Sequence, residues 1–324
     1  MCTAIAYKTN DFYFGRNLDF YRHFDESVTI TPRNFNFKFK NDKDIFLHFA
    51  IIGTATVSEN YPLYYDAVNE HGLCMAGLNF PKNAVYRDFE KDKINIAPFE
   101  FIPYILSRCK SVGEAEKQLN NINLWNISFS DNFINTPLHW MICDKDKSIV
   151  VEPMRDGLEI YDNPVGVLTN NPPFDYHLNN IANFINLTTK YPQNRFCESV
   201  GIEPYSLGMG AVGLPGDMSS ASRFIRAAFI KQNSVRDIND LSSINQAFHI
   251  LKSVGQPNGI TYTKDGEREY TLYTSVCNAT SGVYYYTTYY NSVVSAVRMY
   301  NENLDGDSLS VYPFNYKQNI IFQN

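Results

Sequence analysis

The chain has 324 residues, of which 44% are apolar and 15% aromatic, and its 28 Lys and Arg against 34 Asp and Glu give a formal charge of −6. Disorder is excluded, because the apolar content is too high and the charge too low, and so are coiled-coil and collagen-like fibres, which need heptad or Gly-X-Y repeats. The acidic balance, with Lys and Arg scattered rather than clustered, lacks the electrostatic footprint of a nucleic-acid partner.

In chain order, strands are predicted over residues 3–7 and 12–16, which flank the polar turn Lys8-Thr9-Asn10-Asp11 and read as a hairpin. A second hairpin is expected over 64–68 and 73–78, around Asn69-Glu70-His71-Gly72, and a third over 138–143 and 148–152, around Asp144-Lys145-Asp146-Lys147. Between them a helix is predicted over 99–106, just after Pro98. Another is predicted over 111–119, opened by a capping box of Ser111 and Glu114. Apolar residues at Phe224, Ala227, Ala228 and Ile230 predict a longer helix over 219–231, with a partner over 241–251. The last third returns to strands over 270–276, 282–288 and 293–300. Strands at both ends with helix pairs between them predict an α+β layered body. No Pro/Ser-rich linker or charge block divides it, so residues 1–324 are expected to form a single domain.

Several motif matches carry no chemistry in their context. Gly208-Met209-Gly210-Ala211-Val212-Gly213 fits a dinucleotide fingerprint by spacing, but no apolar strand leads into it and no helix opens within it. Ser107-Arg108-Cys109-Lys110 lacks the companion motifs of its enzyme class. The six histidines show no metal-ligand spacing, and Asp305-Gly306-Asp307 is too short for a calcium loop, so no metal and no cofactor are expected. No stretch approaches the roughly 18 apolar residues of a membrane span, and the first residues have neither the basic nor the apolar part of an export signal. A cytoplasmic protein without membrane insertion is expected. The six cysteines, at positions 2, 74, 109, 143, 197 and 277, include no CxxC pair and are expected as free thiols.

The opening twenty residues carry the strongest chemical signal. Removal of Met1 would leave Cys2 with its thiol and a free α-amine on one residue. An α-amine titrates near 8 and can therefore serve as general base for its own side chain, and cysteine supplies an intrinsically nucleophilic thiolate. Arg16 and Asp19, in Phe14-Gly15-Arg16-Asn17-Leu18-Asp19, fall on the returning strand of the first hairpin, which runs back past Cys2. A guanidinium and a carboxylate are thus expected within reach of the thiol and the amine.

Met1-Cys2-Thr3-Ala4-Ile5-Ala6 followed by Phe14-Gly15-Arg16-Asn17-Leu18-Asp19 resembles the opening of the choloylglycine hydrolase family, which contains bile salt hydrolases and penicillin V acylases. The resemblance continues through Asn69-Glu70-His71-Gly72-Leu73-Cys74-Met75-Ala76-Gly77-Leu78-Asn79, Leu138-His139-Trp140-Met141-Ile142, Leu168-Thr169-Asn170-Asn171-Pro172-Pro173-Phe174, Leu214-Pro215-Gly216-Asp217, Ser222-Arg223-Phe224-Ile225-Arg226 and Glu302-Asn303-Leu304-Asp305-Gly306. These blocks fall in family order along nearly the whole chain. The resemblance implies a four-layer αββα sandwich of the N-terminal nucleophile hydrolase type, and a homotetramer.

It also implies roles. Cys2 matches the nucleophile, Arg16 and Asp19 the residues that hold and tune it, Asn79 and Asn170 positions associated with the oxyanion hole, and Arg223 a further active-site arginine. Asn171 follows Asn170 directly, where small residues also occur in the family, and either asparagine could face the site. Asn at position 79 resembles relatives that act on bile salts, where penicillin V acylases commonly place tyrosine. The implied activity is hydrolysis of the amide that joins a bile acid to glycine or taurine, with the conjugated bile acid as small-molecule partner. A penicillin V acylase, or a catalytically silent binding protein of the same fold, would be the alternatives. A steroid needs a wide apolar trough. Leu18, Phe20, Tyr21 and Phe24, with Tyr65, Phe133 and Leu138 from the loops 61–65 and 129–138, are expected to line it. The loop at Ser206-Leu207-Gly208, associated in the family with the choice of conjugate, has no arginine of its own, which leaves both glycine and taurine open.

Overall fold

The structure, a computed structural model, describes residues 1–41 and 45–324. The first hairpin, Cys2–Lys8 with Phe12–Phe20, lies inside a sheet whose order is Val167–Leu168, Cys2–Lys8, Phe12–Phe20, Arg268–Asn278, Val283–Thr288 and Asn291–Arg298, with Thr261–Tyr262 paired to the start of Arg268–Asn278. A second sheet runs in the order Gly157–Asp162, Ser148–Met154, Leu138–Cys143, Cys74–Asn79, Tyr61–Asn69, Ile51–Ser58, Ser27–Thr31 and Ser310–Pro313. Neighbouring strands are antiparallel in both.

The strand period of two explains why the second sheet is buried on both faces. Cys74, Ala76, Leu78, Met141, Cys143 and Val150 join the core shared with the first sheet. The residues between them, Met75, Trp140, Ile142, Ile149 and Val151, point the other way. They pack with Phe101, Ile105, Val112 and Leu119 of the helices Phe101–Arg108 and Val112–Leu119. On the far side of the first sheet, Phe224, Ala227 and Ala228 of Ser220–Asn233 and Ile244, Phe248 and Leu251 of Asp240–Lys252 complete the fourth layer. The result is the αββα sandwich that the sequence resemblance implied.

Local chemistry sets the helix starts. Ser219 caps its helix by accepting the N–H of Ser222. Ser111 accepts from Glu114, but the Glu114 carboxylate takes the N–H of Lys110 rather than that of Ser111, so the reciprocal half of the capping box sits one residue early. The helix after Pro98 opens as the 3₁₀ turn Pro98–Glu100. Strands Ser27–Thr31, Ile51–Ser58 and Gly157–Asp162 have no counterpart in the sequence reading. Gly53 is required in its strand, because a Cβ there would collide with the Asp66 carbonyl of the neighbouring strand. The glycine run 208–213 is a surface loop with one 3₁₀ turn, Met209–Ala211, between left-handed Gly208 and Gly213.

Candidate active site

Register builds the site. Cys2 pairs with Leu18 and Ala4 with Arg16, so Cys2 and Arg16 are diagonal neighbours on the face toward the second sheet, within reach for a long side chain. Arg16 Nη2 donates to Cys2 Sγ at 2.9 Å. Its Nη1 donates to the carbonyls of Tyr65 at 2.9 Å and Gly77 at 3.0 Å, which anchors the guanidinium to the second sheet. Burial works against the Arg16 charge, but the Cys2 sulfur, Tyr273 and Asp66 outweigh it and hold the guanidinium above its ordinary pKa. Positive charge therefore stands where thiolate charge would develop.

Asp19 is an odd number of residues from Arg16 and falls on the opposite face of the strand. Its carboxylate is fully buried and accepts from the Thr271 hydroxyl at 2.6 Å and the Gln256 amide at 3.0 Å. The sequence reading expected it within reach of the thiol and the amine. With Met1 in place, the Cys2 N–H goes instead to Asn170 Oδ1 at 2.9 Å. Met1 continues the ladder opposite Asp19: Met1 O accepts from Asp19 N, and the terminal ammonium donates to Asp19 O at 2.8 Å and to both Glu269 oxygens at 3.1 Å.

Arg223, in the first turn of its helix, is fully buried. It reaches Cys2 O at 2.5 Å and Thr3 Oγ1 at 2.7 Å through Nη1, and Asn170 Oδ1 at 2.7 Å through Nη2. Burial lowers its pKa, with the charge of Asp19 opposing. It therefore holds the backbone of the cysteine rather than the sulfur. Asn170 Oδ1 is shared by the Cys2 N–H and Arg223, while its Nδ2 donates to Asn79 O at 2.7 Å. Asn170 thus faces Cys2 N as an acceptor, while one Nδ2 hydrogen goes to Asn79 O and the second has no protein acceptor among the described residues. Asn171 turns the other way, donating to Pro81 O and Asn83 Oδ1 at 2.6 Å each, so Asn170 is the asparagine that faces the site. The Asn79 amide lines the cavity and donates to no protein group among the described residues, which leaves it available to an oxyanion.

Cys2 opens onto a cavity of about 400 Å³ that collects Leu18, Phe20, Tyr21 and Phe24 from behind the first hairpin, Leu63, Tyr64 and Tyr65, and Phe129, Phe133, Ile134 and Leu138. The expected wall residues thus come together, joined by Phe99, Ile102 and Trp140. Tyr61, from the same expected loop, is instead packed against Phe37, Phe99 and Phe129. Sequence reasoning missed Thr271, Gln256, Glu269 and Thr3. The strand period could have found Thr3, since it faces the helix layer; the other three carry no local signal.

No histidine among the described residues touches the thiol. His139 bridges Glu152 at 2.9 Å and Thr169 O at 3.0 Å. His177 donates to Asn170 O at 2.8 Å with its pKa drawn down to about 4 by burial. Both support the Thr169-Asn170 segment from behind.

A cysteine beginning the inner strand of an αββα sandwich, its thiol beside a guanidinium and its backbone nitrogen held by an asparagine, has the layout of an N-terminal nucleophile hydrolase. The family model for linear amide C–N hydrolases, choloylglycine hydrolase family, matches residues 2–312, and the chain belongs to that family. It is 51% identical over 313 residues, 97% of each chain, to a bile salt hydrolase/transferase of Lactiplantibacillus plantarum. Its fold matches that of the C2A mutant of the conjugated bile acid hydrolase of Clostridium perfringens with a TM-score of 0.93 at 38% identity, covering 100% of both chains. A penicillin V acylase of Agrobacterium tumefaciens shares the fold at a TM-score of 0.75 and 21% identity, covering 96% of this chain and 90% of that one.

Proposed function

We propose that the protein hydrolyses the amide of glycine- or taurine-conjugated bile acids. The observation that carries this reading is the Cys2 thiol, 2.9 Å from Arg16 Nη2, at an apolar-walled cavity of about 400 Å³. The 51% identity to a bile salt hydrolase/transferase supports the substrate class. Removal of Met1 frees the Cys2 amine at the position facing Asn170 Oδ1. The amine takes the thiol proton, and the thiolate attacks the amide carbonyl. The oxyanion is met by the Asn79 amide, one such donor being worth a few kcal/mol. The ammonium then gives its proton to the departing nitrogen as the C–N bond breaks, leaving a thioester. Water attacks the thioester with the amine as base, and the ammonium returns the proton to the sulfur as the acid leaves. Asp19, pinned by Thr271 and Gln256, supplies a fixed negative charge on the amine's side of the strand.

The test offers glycocholate, taurocholate and penicillin V in parallel. Release of bile acid much faster than of phenoxyacetate supports the reading; the reverse order would make the chain a penicillin V acylase. We read it further as a cytoplasmic homotetramer on the family resemblance, which sedimentation of the purified protein checks. No helix among the described residues is long and apolar enough to cross a membrane.

A further inference from the structure

We propose that Asp66 is a positioning residue for the Cys2 thiol, acting through Arg16 as a buried counter-charge that limits how strongly the guanidinium bears on the sulfur. The proposal rests on Cys2 being the nucleophile. Arg16 is divided between two acidic partners: Nη2 is on the sulfur, Nη1 is committed to two carbonyls, and Nε faces Asp66 Oδ1 at 4.0 Å. That separation is too long for a hydrogen bond, and Nε has no partner among the described residues.

A carboxylate beside an arginine ordinarily closes into a bidentate fork. Here the fork would need Nε and Nη2 together and would divide Nη2 between the carboxylate and the sulfur. Three hydroxyls hold the carboxylate back. Tyr273 donates to Oδ1 at 2.7 Å, and Tyr284 and Ser275 donate to Oδ2 at 2.5 Å and 3.3 Å. Tyr284 is braced in turn by Thr54 at 2.6 Å. Burial and the neighbouring Asp66 raise both tyrosines well above 10, so they remain donors. Burial also raises the Asp66 carboxyl, against the opposing pull of Arg16, Tyr284, Tyr273 and Ser275.

The charged groups around Cys2 are Arg16 with Asp66 behind it, Arg223 on the cysteine's carbonyl, Asp19 on the neighbouring strand and Glu269 at the preceding residue. Those facing Asp66 are Arg16, Tyr273, Tyr284 and the Cys277 thiol. One positive charge thus serves two sites of negative charge, and removing one leaves the guanidinium wholly to the other.

The test measures the rate of Cys2 alkylation by iodoacetamide against pH on the processed enzyme, with the labelled residue identified by peptide mass. In Asp66→Asn the acid limb of the curve should move about one pH unit lower, the size expected for losing a like charge several ångströms away. Tyr284→Phe should move it the same way by less, since losing that donor pushes the carboxyl further toward neutral. Melting curves establish that each variant is folded, and Tyr284→Phe decides if Asp66→Asn does not fold. A limb that stays put or moves to higher pH in a folded variant overturns the proposal. Label on a cysteine other than Cys2 in the parent overturns the nucleophile assignment, and this proposal with it.

Discussion

Replacing Asn170 by alanine isolates the contact that joins the amine, the arginine and the oxyanion side of the site. Its Oδ1 accepts from Cys2 N at 2.9 Å and from Arg223 Nη2 at 2.7 Å, and its Nδ2 donates to Asn79 O at 2.7 Å. The bond from Cys2 is worth about 1 kcal/mol and the one from the charged, buried guanidinium about 2 kcal/mol. If both are needed to align the amine with the thiol, about 3 kcal/mol is lost from the transition state, a fall of roughly a hundredfold in kcat. Asn171→Ala is the control. It removes two contacts of similar length one residue away, on the face turned from Cys2, and should stay within about threefold of the parent, as surface contacts of this kind contribute little. Glycocholate hydrolysis followed by amine release gives kcat and KM, and calorimetric melting separates loss of turnover from loss of fold. A folded Asn170→Ala enzyme within fivefold of the parent, or an Asn171→Ala enzyme equally impaired, would refute the assignment of Asn170 to the site.

Cys2→Ser should fold normally and lose most activity, because an alkoxide is far harder to generate than a thiolate; near-parental turnover of cholate conjugates would exclude Cys2 as nucleophile. Active protein should have an intact mass lower by one methionine, and a variant blocked from trimming should be inactive; activity in protein that retains Met1 would end the role of the α-amine as base. His177 has a folded-state pKa of about 4 against an ordinary 6.5. Its contribution to stability is therefore complete above 6.5 and lost as the pH falls through about 4, a change of about 3 kcal/mol. Melting temperature should drop across that window, and His177→Gln, which keeps a donor for Asn170 O, should flatten the drop; an unchanged slope would show that acid sensitivity originates elsewhere.

What could be read from the sequence was local. The first hairpin follows from two largely apolar runs around a polar turn, and its register alone brings Arg16 to the face of Cys2. The expected site residues and wall residues of the cavity are drawn together by the family order of their blocks. The division of labour was not legible. That Asn170 turns its oxygen to Cys2 N depends on Arg223, fifty-three residues on, and on a carbonyl of a different sheet. Asp66 is likewise invisible, since a carboxylate between Tyr65 and Ala67 reads as a polar interruption until Tyr273 and Tyr284 arrive from the other sheet. The strands Ser27–Thr31 and Ile51–Ser58 were legible, since Ser and Thr alternate with apolar residues through the first and from Thr54 to Ser58 in the second, but most of those hydroxyls are buried rather than turned to solvent.

Met1 docked as a further rung of the ladder, its ammonium shared between Asp19 O and the Glu269 carboxylate, turns maturation into a race. A terminus tied into the sheet is a poor substrate for an aminopeptidase, which needs an extended, loose end. On the proposed mechanism, trimming has to precede closure of the first hairpin as the chain leaves the ribosome. Chains that fold first would be well packed, soluble and silent, and incubation with aminopeptidase would not rescue them without partial unfolding. The yield of working enzyme from a fast expression host would then follow the supply of trimming enzyme rather than the stability of the fold.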